Sequence, residues 1–145
     1  MLTTTRIGIV QHQCDAKEDT NIERATDGIK KCVDQGAQII CLQELVNTLY
    51  FCQTEEYEHF DLAQPIDGPL VRHFQSVSKS YQVVTIVPFF ERRASGVYHN
   101  TAVVVDADGD IAGVYRKMHI PDDPGFMEKF YFTPGDLGYK VWNTK

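Results

Sequence analysis

The chain has 145 residues, 43% of them hydrophobic and 23% charged, with a net charge of −6; this is the size of one globular domain, able to bury about two thirds of its unfolded surface. The acidic balance speaks against nucleic-acid binding, which needs a basic face to neutralise phosphates. The opening "MLTTTRIGIVQHQ" lacks the basic-then-apolar pattern of a signal peptide, and runs such as "VVTIVPFF" are too short to span a bilayer, so the sequence predicts a cytoplasmic protein without a membrane partner.

"TRIGIVQHQ" alternates and is rich in β-branched residues, which predicts a strand over Arg6–Gln11. Ile22, Ala25, Ile29 and Val33 then recur at helical spacing, with Asp19 or Thr20 placed to cap the start and Gly36 to end the helix. The nearly continuous apolar run "AQIICLQEL" reads as a strand covered on both faces and completes a βαβ unit. "VNTLYFCQTEEYEHFDLAQPIDGP" is irregular and aromatic, and is expected to be a long loop holding a short helix. Leu70, Phe74 and Val77 share one face of a second helix, with Pro69 in its first turn. "VVTIVPFFE" is a third strand in which Pro88 predicts an edge or a bulge, and "RASGVYHN" a turn. "TAVVVDADGDIAGVYRK" is two strands joined at Asp108-Gly109, a strong hairpin signal. Without repeats or a linker, the organisation is one α/β unit.

Several residues could carry chemistry. Glu44 follows "IICLQ" at the carboxyl end of a strand, the edge where ligands bind in open α/β sheets. There it is either a partly desolvated general base, with Leu42, Leu45 and Tyr50 near it, or a carboxylate that simply meets water. Lys117 ends the last strand, where an ammonium can stabilise an oxyanion or merely guard a sheet edge. Arg116 alternates with Lys117 and should point the other way, as a surface or ion-pair residue, while His119 shares the parity of Lys117. Glu128 stands among Phe126, Met127, Phe130, Tyr131 and Phe132, either paired in a pocket or exposed beside Lys129. Cys14, Cys32, Cys41 and Cys52 are irregularly spaced and read as free thiols; His12 and Cys14 share a strand face but are too few for a metal site. Cys41 should emerge on the face opposite to Glu44, and only Cys52, in the loop beyond it, has plausible access to a site.

Three pieces, "QELVNTLYFCQ" around Glu44, "GVYRKMHIPDDPGFMEKFYFTPGD" around Lys117 and Glu128, and "GYKVWNTK" at the end, occur in consistent order along the chain. Together they resemble the nitrilase-like carbon–nitrogen hydrolase superfamily, and the wording after Lys117 is most similar to the N-carbamoylputrescine amidohydrolase branch. The resemblance implies a four-layer α-β-β-α sandwich of which residues 1–145 form the N-terminal part of a single domain. It implies a Glu-Lys-Cys mechanism without metal or cofactor, a small-molecule substrate and a homo-oligomer. By position Glu44 would be the general base, Lys117 the oxyanion stabiliser and Glu128 the additional pocket glutamate. The family's nucleophilic cysteine lies downstream of "GYKVW", and none of the four cysteines here matches its motif, so these residues alone are expected to be inactive. Other expected readings are a β-ureidopropionase-like or ω-amidase-like amidohydrolase, or a shortened non-catalytic partner of the same fold. Asp122 and Asp123 either offer negative charge to a cationic amine or form a solvated loop pair.

Overall fold

The elements dictated by periodicity are present in the computed structural model, which describes residues 4–145. Five strands form one sheet in the order β1 (Ile7–Val10), β2 (Ile39–Leu42), β3 (Val84–Ala94), β4 (Val97–Val105) and β5 (Ile111–Arg116). β1, β2 and β3 run parallel, linked through helices α1 (Glu18–Asp34) and α2 (Pro69–Tyr81), whereas β3, β4 and β5 are antiparallel. This is the expected α/β class. Crossover helices after parallel strands must cover the sheet, and here they cover one face.

On that face Ala25 and Ile29 of α1 and Leu70, Phe74 and Val77 of α2 pack against Val10, Ile40, Leu42, Val87, Val103 and Val105. Full burial of each larger apolar side chain stabilises the fold by about 1.5–3 kcal/mol. The register places Ile9, Cys41, Ile86, Val104 and Gly113 in one row across the opposite face. No helix packs there among the described residues, and Ile7 and Ile9 are 64% and 79% exposed. β2 is therefore helix-covered on one face only, with Ile39 and Cys41 half-buried on the other. One helix layer on one sheet is what the outer half of an α-β-β-α sandwich presents. The indole of Trp142 lies against Gly113, where a Cβ would overlap the ring, and so covers the β5 end of the open face.

Local chemistry moves several expected boundaries. α1 begins at Glu18, ahead of the capping positions expected at Asp19 or Thr20, because Asp15 Oδ1 accepts from the Lys17 N–H and the Asn21 side chain ties back to the Asp15 backbone. Gly36, at φ +80°, ends the helix as expected. Pro88 sits in a central strand, yet beyond the last β2 pair, Cys41 with Ile86, so it is locally at an edge. Its carbonyl accepts from the Val46 N–H at 3.0 Å, and the irregularity of β3 lies instead between Arg92 and Ala94. The turn expected over "RASGVYHN" shrinks to Ser95-Gly96, since β3 and β4 extend into both arms; Gly96 takes φ +75°, a left-handed conformation that glycine adopts without a Cβ penalty. The hairpin at Asp108-Gly109 forms, and the long loop carries a 3-10 helix over Tyr57–Leu62.

A second apolar cluster is what builds the site. Leu45, Phe51, Phe90, Ile120, Tyr131 and Phe132 are buried together, with the Phe51 ring 5.0 Å from those of Phe90 and Tyr131. These residues come from the loops after β2 and β5 and from the far end of β3. Packing the two loops onto the same strand end brings residues distant in sequence to one rim. No helix among the described residues is long and apolar enough to cross a membrane.

Candidate active site

Glu44 lies just past β2, in a turn that continues through Leu45 at φ +50°. A residue with a Cβ in that region costs about 1–3 kcal/mol, so the turn persists only because Leu45 is buried in the second cluster and Val46 is pinned to Pro88. Lys117 follows β5, its N–H donating to the Asn100 carbonyl at 2.9 Å, which extends the β4–β5 pairing by one residue. Glu128 opens the short helix α3 (Glu128–Tyr131), held by the Met127 N–H donating to the Cys52 carbonyl at 2.7 Å and by buried Tyr131 and Phe132.

These three side chains meet. Lys117 Nζ donates to Glu128 Oε2 at 2.7 Å and to Glu44 Oε1 at 3.2 Å. Two residues not singled out as catalytic complete the cluster: Tyr50 OH donates to Glu128 Oε1 at 3.0 Å, and Asn100 Nδ2 donates to Glu44 Oε1 at 2.7 Å. The signal for Asn100 was its place in β4 directly opposite Lys117, which becomes visible only once the register is known. Tyr50, expected beside Glu44, reaches Glu128 instead. Leu42 joins the helix-side core rather than the surroundings of Glu44.

The side chains of Glu44, Lys117 and Glu128 are 49%, 30% and 3% exposed. Glu128 is thus buried and paired, while Lys129 turns outward toward exposed Asp122 at 4.0 Å. Burial disfavours the Lys117 ammonium, but the hydrogen bonds and charges of Glu128 and Glu44 outweigh it and hold the group above the ordinary lysine value, so it stays charged. Burial and the bond to Glu128 push the Tyr50 phenol upward, which keeps it a donor. A protonated cation between two carboxylates, one sealed and one open to a ligand, can polarise a carbonyl oxygen while the open carboxylate accepts a proton.

The remaining candidates separate from this cluster. Arg116 is an ion-pair residue, as one expectation had it, but not a surface one: it turns behind the sheet and grips buried Glu91 through Nε and Nη2 at 2.6 and 2.7 Å. His119, Asp122 and Asp123 are exposed. Cys52 has no access after all, being fully buried, and burial with the nearby Glu128 and Glu44 charges pushes its thiol up, so it stays protonated. Burial likewise raises the thiols of Cys14 and Cys41. Cys41 lies on the same sheet face as Asn100, because strand alternation does not carry past the turn at Glu44. Among the described residues no group of three or more His, Cys, Asp or Glu side chains is arranged to hold a metal ion.

The sequence profile of the family described as carbon-nitrogen hydrolase matches residues 6–145. The chain belongs to the carbon-nitrogen hydrolase family. This carbon-nitrogen hydrolase chain is 42% identical over 140 residues to the N-carbamoylputrescine amidase of Oryza sativa, a match that covers 96% of the chain and 46% of that protein. It is 40% identical over 145 residues to the citrullinase of Francisella tularensis, covering 99% and 50%. In structure it is similar to the carbon-nitrogen hydrolase from Helicobacter pylori G27, with a TM-score of 0.88 and 46% identity over 92% of this chain and 46% of that one. The chain spans about half the length of the curated relatives it matches.

Proposed function

We propose that this chain supplies the base and the oxyanion-stabilising cation of an amidohydrolase that cleaves a terminal ureido group, with N-carbamoylputrescine as the substrate. The observation that carries the reading is the Lys117 ammonium bracketed by Glu44 and Glu128 at hydrogen-bond distance. Glu44 takes the proton of a cysteine thiol contributed by chain outside these 145 residues, and the thiolate attacks the carbamoyl carbon. Lys117 stabilises the oxygen that becomes negative in the tetrahedral intermediate, and Glu128 fixes the ammonium through a bond that needs no reorganisation during the reaction. Glu44 passes that proton to the leaving nitrogen as the C–N bond breaks, ammonia departs, a thiocarbamate forms, and the carboxylate, ionised again, activates water to hydrolyse it and free the thiol. The released carbamate gives carbon dioxide and the free diamine. Splitting one attack on an unreactive urea carbon into two lower barriers is the use of the covalent step.

Two of the relatives support the substrate class. N-carbamoylputrescine and citrulline, named for those proteins, are both terminal ureas on an alkyl chain that bears an amine, which in citrulline is an α-amino group beside a carboxylate. In the complete protein the second half of the fold covers the open face that carries Ile7 and Ile9, and self-association into a homo-oligomer follows the resemblance. The test is ammonia and carbon dioxide release by the complete translation product of the gene. N-carbamoylputrescine is expected to be turned over with a higher kcat/KM than N-carbamoyl-β-alanine, which ends in a carboxylate. No release from any ureido compound, or the reverse preference, overturns the reading.

A further inference from the structure

The Glu44 carboxylate sits on a strained turn with half its side chain exposed, and Lys117 holds it only as the longer of two bonds, 3.2 Å against 2.7 Å to Glu128. A base held that loosely would exchange its position with water-solvated rotamers. What prevents this is Asn100, a buried residue of β4 whose Nδ2 donates at 2.7 Å to Glu44 Oε1, the same oxygen that accepts from Lys117. Its backbone carbonyl meanwhile accepts the Lys117 N–H at 2.9 Å. One residue therefore fixes the carboxylate by its side chain and the ammonium by its main chain, in a sheet register set by the pairing of Asn100 with Phe90.

From this juxtaposition we infer that Asn100 is the positioning residue of the site: it occupies Oε1 of Glu44, leaves Oε2 as the oxygen that takes the proton, and sets the carboxylate-to-ammonium spacing. The inference rests on the proposed role of Glu44 as base. The choice of amide is chemically meaningful. A neutral amide orients the carboxylate through one directional hydrogen bond and adds no charge beside the ammonium that Lys117 already supplies. The other ionisable groups around Glu44 are Lys117 just after β5, Glu128 from α3, and Tyr50 and Cys52 from the loop after β2.

The experiment compares Asn100→Leu, Asn100→Ser and Asn100→Asp in the complete translation product, with Glu44→Gln alongside. Removing the donor in the Leu variant, and withdrawing it on the shorter Ser side chain, is expected to lower kcat/KM by roughly 10–100-fold, as for a hydrogen bond to a charged group. The loss should fall on kcat rather than on KM, because the position of the carboxylate matters to proton transfer and not to holding the substrate. Asn100→Asp keeps the shape but replaces the donor by a carboxylate that repels Glu44, and should lose at least as much kcat as Asn100→Leu. Asn100→Ser is the informative variant if the Leu variant does not fold. A merely structural role would make activity follow thermal stability and leave kcat untouched in a variant that folds; a kcat near that of the parent in folded Asn100→Asp and Asn100→Ser, with Glu44→Gln inactive, overturns the inference and leaves the base assignment standing. Persisting activity in Glu44→Gln would instead remove the assignment on which the inference rests.

Discussion

Replacing Glu44 by Gln in the complete translation product is expected to lower kcat/KM by about 10³, and replacing Lys117 by Met by about 10²–10³, with folding judged separately by thermal melting. The first figure is the middle of what a positioned general base contributes, and the second what one oxyanion donor contributes. The two variants should differ in stability. Glu44→Gln removes a half-exposed carboxylate and should melt near the parent temperature. Lys117→Met strands Glu128, 3% exposed, with Tyr50 as its remaining side-chain partner, and should destabilise the protein by several kcal/mol, about the cost of a buried charge that has lost its partner. Lys117→Arg separates the effects: it retains the charge and much of the stability, but its broad planar head cannot reproduce the point contact to both carboxylates, so activity should stay low. Activity within tenfold of the parent in both Glu44→Gln and Lys117→Met would contradict the assignment.

The largest change in stability is expected at Arg116→Met, about 3–5 kcal/mol by urea denaturation, out of the roughly 5–15 kcal/mol that holds a domain folded. Glu91 is 1% exposed and accepts from Arg116 Nε and Nη2 and from Thr101 Oγ1. Removing the guanidinium leaves a carboxylate sealed beneath the sheet. The double variant Glu91→Leu/Arg116→Met should recover most of the loss, since a buried ion pair is commonly worth little more than well-packed apolar groups; no recovery would show that the pair is not the source of the defect. The pair also sets a pH dependence. Burial alone would raise the Glu91 carboxyl, but the hydrogen bonds from Arg116 and Thr101 and the Arg116 charge outweigh it and hold the group below its ordinary 4.5. A depressed folded value means that the stabilisation is complete above about 4.5, and is lost as pH falls from there through the folded value. Arg116 immediately precedes Lys117 in the chain, so this pair on one face of β5 anchors the strand whose next residue serves the site on the other.

The sheet and helices were legible because apolar spacing reports burial directly: Ile22, Ala25 and Ile29, or Leu70, Phe74 and Val77, could form only helix faces against β-branched strands. The hairpins were legible from Asp108-Gly109 and, with a wider turn than the real one, from the glycine at 96. Periodicity could not distinguish a strand covered on both faces from β2, whose second face is open among the described residues. Both patterns are continuous apolar runs. At the site, Glu44, Lys117 and Glu128 stood out by residue type, position and resemblance, but each left an exposed alternative open, because only tertiary packing decides whether a carboxylate meets water or an ammonium. Asn100 escaped notice for the same reason. Its chemistry depends on lying opposite Lys117 in the β4–β5 register, and a neutral amide in "YHNTAVVV" carries no local sign of it. Cys52 misled because loop position suggests access, whereas its loop is folded inward by Phe51 and Tyr131.

That this cluster serves a thiol from chain outside these 145 residues is a proposal with a covalent signature. It is tested most directly by rapid-quench peptide mass mapping of the complete translation product mixed with N-carbamoylputrescine. A thiocarbamate adduct, substrate less ammonia, is expected on a cysteine other than Cys14, Cys32, Cys41 and Cys52. An adduct on one of those four, or full turnover by residues 1–145 alone, would contradict it.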